Sequence, residues 1–209
     1  MNYNILGNSL VRNLAIPNVQ VISINGLAWE SAISYMIDHR AQMRDHYVFI
    51  VVGPLRFTSL HRSRREVVFR DTNLRTVKQL FAPFYRVQDL AFLRIYPIPC
   101  PLFPMNFDKY NRRCARPIMR GFYREWNEEI RGHIVVENRA IYYFNTAHEL
   151  NTPHLHAKIF KRKRGRYQFV EKYLRDGLHV RNSVIRQWKH EFQRVIRIMD
   201  TRAENARQE

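Results

Sequence analysis

The chain of 209 residues is short of several things, and each shortage narrows what it can be. Two cysteines, Cys100 and Cys114, make neither a disulfide framework nor a metal quartet, so a reducing compartment and a pair of buried thiols are expected. No run of about 18 uninterrupted apolar residues exists, which excludes a membrane-spanning helix of ordinary length. The N-terminus lacks the basic, apolar and small-residue regions of a signal peptide, so a soluble, intracellular protein with no membrane partner is expected. Internal repeats, linkers, an RNP motif, a KH loop and a zinc knuckle are all missing, and no cofactor or metal is expected.

Acidic residues are scarce as well: 18 Asp and Glu face 35 Lys and Arg, for a net charge of +17 and a pI near 10.5. Among the cations lysine is the minor partner, with seven lysines against 28 arginines. Guanidinium grips phosphate in a bidentate way and stacks on bases, which ammonium cannot do, so the bias favours a polyanion such as nucleic acid over a surface charged only for solubility. The hydrophobic fraction of 45% suffices for a core, and one globular domain over residues 1–200 with a frayed tail at 201–209 is expected.

Patterning along the chain predicts strands at residues 3–6 and 19–24, a helical turn at 9–14 and a helix over 28–43. Residues 47–52 (YVFIVV) are apolar on both faces, as in a central parallel strand covered by helices. Residues 61–66 (HRSRRE) form an Arg-rich loop, 74–90 reads as a helix interrupted at Pro83, and 91–98 as a strand ended by prolines. Helix follows over 106–131 with a break at Pro117, then two short strands at 133–136 and 140–144, and a hairpin over 158–170 turning at Gly165. Over 182–199 an apolar stripe through Val184, Trp188, Phe192 and Val195 predicts a long amphipathic helix. Alternating strands and helices give an α/β fold, a three-layer sandwich around a mainly parallel sheet.

Ligands of such sheets meet the carboxyl ends of the strands. Gly7-Asn8-Ser9, Gly26 and Gly53 fall at three such ends, and Asp176-Gly177-Leu178-His179 comes just before the last helix. Those four landmarks, in that order, resemble the SGNH hydrolase superfamily. The resemblance implies Ser9 as nucleophile, His179 as base, Asp176 as the group that orients it, and Gly26 as an oxyanion donor. The third block departs from the pattern. Gly53-Pro54-Leu55-Arg56 stands where the superfamily has Gly-x-Asn-Asp, and Leu55 has no side-chain donor. Losing one oxyanion donor costs roughly 10²–10³ in rate in acyl-transfer enzymes, and Asn8 in place of the usual Asp is a second departure. Ser9, Asp176 and His179, with Gly26, therefore read as the remnant of a triad in a non-enzymatic domain. A working esterase is the first alternative, and a serine that merely caps the following turn is a further reading of Ser9.

Within the superfamily, the stretches ILGNSLVRNL, VVGPLRFTSL and YLRDGLHVRNSVIRQW resemble the OSK domains of the Oskar family of insect germ-plasm proteins. That resemblance implies an SGNH-like domain without enzymatic activity, preceded in the full-length protein by a LOTUS domain. Its partners would be messenger RNA, with 3′ untranslated regions as targets, and other germ-plasm proteins. The location implied is cytoplasmic ribonucleoprotein granules. The basic clusters agree. Lys158, Lys161, Arg162, Lys163, Arg164 and Arg166 are the densest, with Tyr167 and Phe169 beside them as stacking platforms or hairpin packing. Arg62, Arg64 and Arg65 form a second cluster, Arg175 and Arg181 bracket the D-x-x-H block, and Arg40 and Arg44 lie one helical turn apart. A protein-interaction scaffold, for which the charge is incidental, is the other alternative.

Overall fold

A computed structural model describes residues 1–70, 89–114, 116–155, 160–163, 166–169 and 171–208. Four parallel strands form the central sheet in the order β2-β1-β3-β6: β1 is Asn2–Gly7, β2 Val19–Ser23, β3 His46–Val51 and β6 Ile95–Pro99. β1 and β3 occupy the middle, and Ile5, Leu6, Val48, Phe49, Ile50 and Val51 are buried. A strand covered on both faces needs such an unbroken apolar run. Among the described residues β6 pairs with β3 alone, a place where Pro97 and Pro99 can sit without depriving a second neighbour of hydrogen bonds.

The chain leaves β1 for β2 on one side and returns to β3 on the other. β1 is thus a topological switch point, and a crevice opens at its carboxyl end. Helix α1 (Trp29–Asp38) buries Trp29, Ala32, Ile33 and Met36, and a short α2 (Arg40–Met43) leads into β3. The last helix, α5 (Asn182–Asn205), buries Val184, Trp188, Phe192, Val195 and Met199, as its stripe predicts. It packs edge-on through Phe192 against Phe49 and is tied to β1 where the Tyr3 hydroxyl donates to Asp200 at 2.7 Å.

Several expectations need correction. Residues 9–14 form two turns instead of a helix. The strand placed at 91–98 begins at Ile95, and residues 91 and 92 are helical. Residues 133–136 and 140–144 are not strands, because both lie inside the helix α4 (Tyr123–Ala147). Their β-branched and aromatic content suggests strand locally. The buried set Ile130, Ile134, Glu137, Ala140 and Ile141 keeps helical spacing across the whole stretch, and that burial decides. Helix α5 runs to Asn205, so the tail placed at 201 is helical for its first five residues. The Arg-rich loop is the tip of an antiparallel hairpin, β4 (Thr58–His61) with β5 (Glu66–Phe69). A second hairpin, β7 (Phe160–Lys163) with β8 (Arg166–Phe169), stands where expected, though the helix placed at 74–90 falls mostly outside the described residues.

Candidate active site

The turn after β1 is held from two sides. The Asn8 amide N–H donates to the Val51 carbonyl at the end of β3, and its own carbonyl accepts the Ser23 hydroxyl at the end of β2. The Asn8 side chain accepts from the Leu10 N–H and lies over Gly53, where a Cβ would come within 2.7 Å of Nδ2. A side chain at Gly53 would therefore have to displace the buried Asn8 amide. Ser9 follows immediately, half-buried at the switch point, and its hydroxyl meets His179 instead of capping a helix.

His179 reaches it from the hairpin before α5. A bridge between Leu174 and Val180 closes this hairpin, and the Arg175 N–H donates to the His179 carbonyl. Short helix α3 (Phe107–Tyr110) supports it from below. The Asn106 N–H donates to the Gly177 carbonyl at 2.8 Å, and Lys109 Nζ donates to the Leu174 carbonyl at 2.6 Å. Gly177 has φ of 92°, and a Cβ there would stand 2.6 Å from the Asn106 carbonyl and the Tyr110 nitrogen. Only glycine meets both conditions.

The sequence-derived triad is brought together: Ser9 Oγ lies 2.8 Å from His179 Nε2, and His179 Nδ1 lies 2.8 Å from Asp176 Oδ2. With Nδ1–H donated to the carboxylate, Nε2 is left to accept the Ser9 hydroxyl proton, which is the arrangement of a nucleophile and its base. Asp176 also accepts the Leu178 and His179 backbone N–H groups on Oδ1. Burial alone would raise its carboxyl, but these hydrogen bonds and the facing His179 outweigh burial and hold it below the usual carboxylate range.

The oxyanion side is less complete. Gly26, after β2, has φ of 74°, and among the described residues neither its N–H nor that of Ser9 is spent on an internal acceptor. Leu55 begins a 3-10 turn (Leu55–Phe57) after Gly53-Pro54 and supplies no donor. Arg56 turns toward α4, where Glu137 Oε1 accepts from both Arg56 Nη1 at 3.3 Å and Trp29 Nε1 at 3.0 Å. Burial raises the Glu137 carboxyl, with Arg56 and Trp29 pulling the other way.

The cations distribute unevenly around this site. Arg175 and Arg181 are exposed on the hairpin that carries the triad. Arg62, Arg64 and Arg65 are exposed at the tip of the β4–β5 hairpin. Arg40 opens α2 and Arg44 is its C-cap residue, one turn later and just before β3. Both sit at the amino ends of the strands, opposite the triad. Lys161, Arg162, Lys163 and Arg166 fall on β7 and β8, where Arg162 pairs with Tyr167, Lys163 with Arg166 and Phe160 with Phe169. Lys158 and Arg164 lie outside the described residues. Sequence reading missed Arg112, Arg113, Arg116 and Arg120, all exposed, whose signal was only a raised arginine density around Pro117. A cavity of about 510 Å³ between α4, α5 and residues 150–154 is lined by no triad residue. Among the described residues no cluster of His, Cys, Asp or Glu could hold a metal, and no helix could cross a membrane.

Solved structures of similar fold include a GDSL-like lipase of Bacteroides thetaiotaomicron, 13% identical, covering 94% of this chain and 88% of that one at a TM-score of 0.61. A variant of an acetyl xylan esterase of Geobacillus stearothermophilus is 12% identical, with 93% of each chain covered and a TM-score of 0.55. A lipase/acylhydrolase of Enterococcus faecalis is 16% identical over 93% of this chain and 94% of that one, at 0.50. The fold is the SGNH hydrolase fold. No family model and no curated protein matches the sequence, and identities this low carry the fold without the activity. In this chain Ser9 follows β1, Gly26 follows β2 and the Gly53-Pro54-Leu55 turn follows β3, while His179 meets Ser9 from the hairpin before α5.

Proposed function

We propose that this chain is an RNA-binding domain built on an SGNH hydrolase fold, one that grips the phosphates of messenger RNA and does not turn over esters. The observation that carries the reading is the net charge of +17, most of it arginine and much of it exposed in clusters on separate hairpins. Resemblance to the Oskar family adds the finer expectations: 3′ untranslated regions as targets, germ-plasm proteins as further partners, and cytoplasmic granules as the location. Loss of the oxyanion amide at Leu55 speaks against catalysis. The test is a polarisation titration with single-stranded RNA and duplex DNA at several salt concentrations. RNA affinity should fall with salt at a slope of roughly 0.7 per phosphate contact. Absent or salt-insensitive binding would overturn the reading and favour a protein scaffold.

A second reading has its own observation. The Ser9–His179–Asp176 distances are those of a competent triad, so ester hydrolysis is the rival function. A fluorophosphonate probe decides between them: strong labelling of the wild-type protein that disappears in Ser9→Ala would establish the hydrolase.

A further inference from the structure

We infer that the tip of the β4–β5 hairpin and the segment between α3 and α4 form one composite RNA-docking surface, a proposal that rests on the RNA-binding reading above. Two stretches some 45 residues apart in sequence are fastened into a single face. Asn111 clamps both polar groups of the Val67 backbone, accepting its N–H at 2.9 Å and donating to its carbonyl at 2.8 Å. Glu66 accepts the Ile118 and Met119 N–H groups and the Tyr123 hydroxyl. Arg64 Nη1 donates to the Arg116 carbonyl at 3.4 Å, and Cys114 Sγ donates to the Arg64 carbonyl at 3.1 Å.

The result is seven exposed arginines on one framework: Arg62, Arg64 and Arg65 from the tip, and Arg112, Arg113, Arg116 and Arg120 from the other segment. Among the described residues, two carboxylates bond to these segments. Glu66 is fully buried and occupied by three donors, so it fastens the surface from beneath. Asp108 stands 3.8 Å from Arg112 in an exposed pair of little strength. Seven guanidinium groups so placed present a field that polyphosphate satisfies.

An exposed aromatic ring close to Arg120 in sequence favours RNA over other polyanions. Phe122 is 50% exposed two residues after Arg120, and its ring is stacked on Trp126 at 6.0 Å and 18°. One face of a supported, solvent-reached ring close in sequence to an arginine row is a stacking platform for an unpaired base. Acidic protein would use the arginines and leave the ring idle.

The experiment titrates a labelled, unstructured oligouridylate into the wild-type protein, an R112E/R113E/R116E variant, its Gln counterpart and F122A, each over several salt concentrations, with melting curves as a folding control. The Glu variant should bind roughly tenfold or more weakly, and the Gln variant should lose about 2 from the salt slope if three contacts are removed. F122A should weaken binding several-fold with the slope unchanged. If the wild type fails to bind RNA, the functional reading falls and this surface with it. If the wild type binds and both triple variants match it in affinity and slope, the docking surface is overturned while RNA binding stands. Wild-type affinity in F122A would overturn the stacking platform.

Discussion

Two hairpins of this protein spend their polar groups in opposite directions. In the hairpin from Leu174 to Val180, Asp176 and His179 turn toward each other and toward Ser9, and most hydrogen-bonding atoms have a partner inside the protein. In the hairpin of β4 and β5, the inward work is done by the backbone, by Glu66 and by one Arg64 bond to the Arg116 carbonyl, while the side chains of Arg62, Arg64 and Arg65 remain exposed. The first is specified by distance and fails if an atom moves by an ångström. The second is specified by charge, which tolerates displacement but not a change of sign. One fold therefore carries an orientation-dependent site and a field-dependent surface, and substitutions can address them separately.

The largest expected effect removes the buried anchor of α5, the helix that follows the triad hairpin. Trp188 is fully buried on α5, packs on Phe103 at 4.7 Å and donates its indole N–H to the Leu155 carbonyl. Trp188→Ala should cost about 3–5 kcal/mol, read as a lowered urea midpoint. An unchanged midpoint would refute the packing of α5. Next in size, Leu55→Asn returns a side-chain donor to the place where the SGNH pattern has one. Because triad distances are already in place, hydrolysis of a short acyl ester should rise by roughly 10²–10³ over wild type. No gain would mean that the oxyanion side is misplaced as well as depleted.

A smaller effect is expected at a third hairpin, β7 with β8. Reversing Lys161, Arg162, Lys163 and Arg164 to Glu should reduce RNA affinity by roughly tenfold or more, since four cations become four anions, with melting curves as the folding control. Wild-type affinity and salt slope would remove this hairpin from the RNA surface and leave the arginines around Pro117 and the D-x-x-H hairpin.

The two kinds of site were not equally legible. Ser9, Asp176 and His179 could be picked out because a motif preserves residue type and order, and β1, β3 and α5 because unbroken apolar runs or a helical stripe admit one reading. Residues 133–144 misled because a five-residue window sees β-branched and aromatic side chains, and the buried row from Ile130 to Ile141 emerges only over three turns of helix. Of the arginine surface proposed above, Arg62, Arg64 and Arg65 stand out in the sequence as a cluster, but their joining to the segment around Pro117 does not. That joining rests on Asn111 and Glu66, and neither residue advertises its partner.

The smallest effect concerns the charge that holds the triad hairpin together. The Asp176 carboxyl is depressed on folding despite its burial, so it contributes stability above its unfolded value of about 3.9, and that contribution is lost as pH falls through the lower folded value. Glu66 and Glu191 are depressed too, which gives the wild-type protein an acid limb of the same sign. Asp176→Asn deletes one member of that set. The stability difference between wild type and Asp176→Asn, measured by urea melts, should be widest near neutral pH and narrow below about pH 4. Arginines keep their charge throughout, so RNA affinity at pH 7 should stay within about twofold of wild type in the same variant. A stability difference that is constant down to the acid end would show that the Asp176 carboxylate does no more than its amide would. A large change in RNA affinity would join the two hairpins into one functional site.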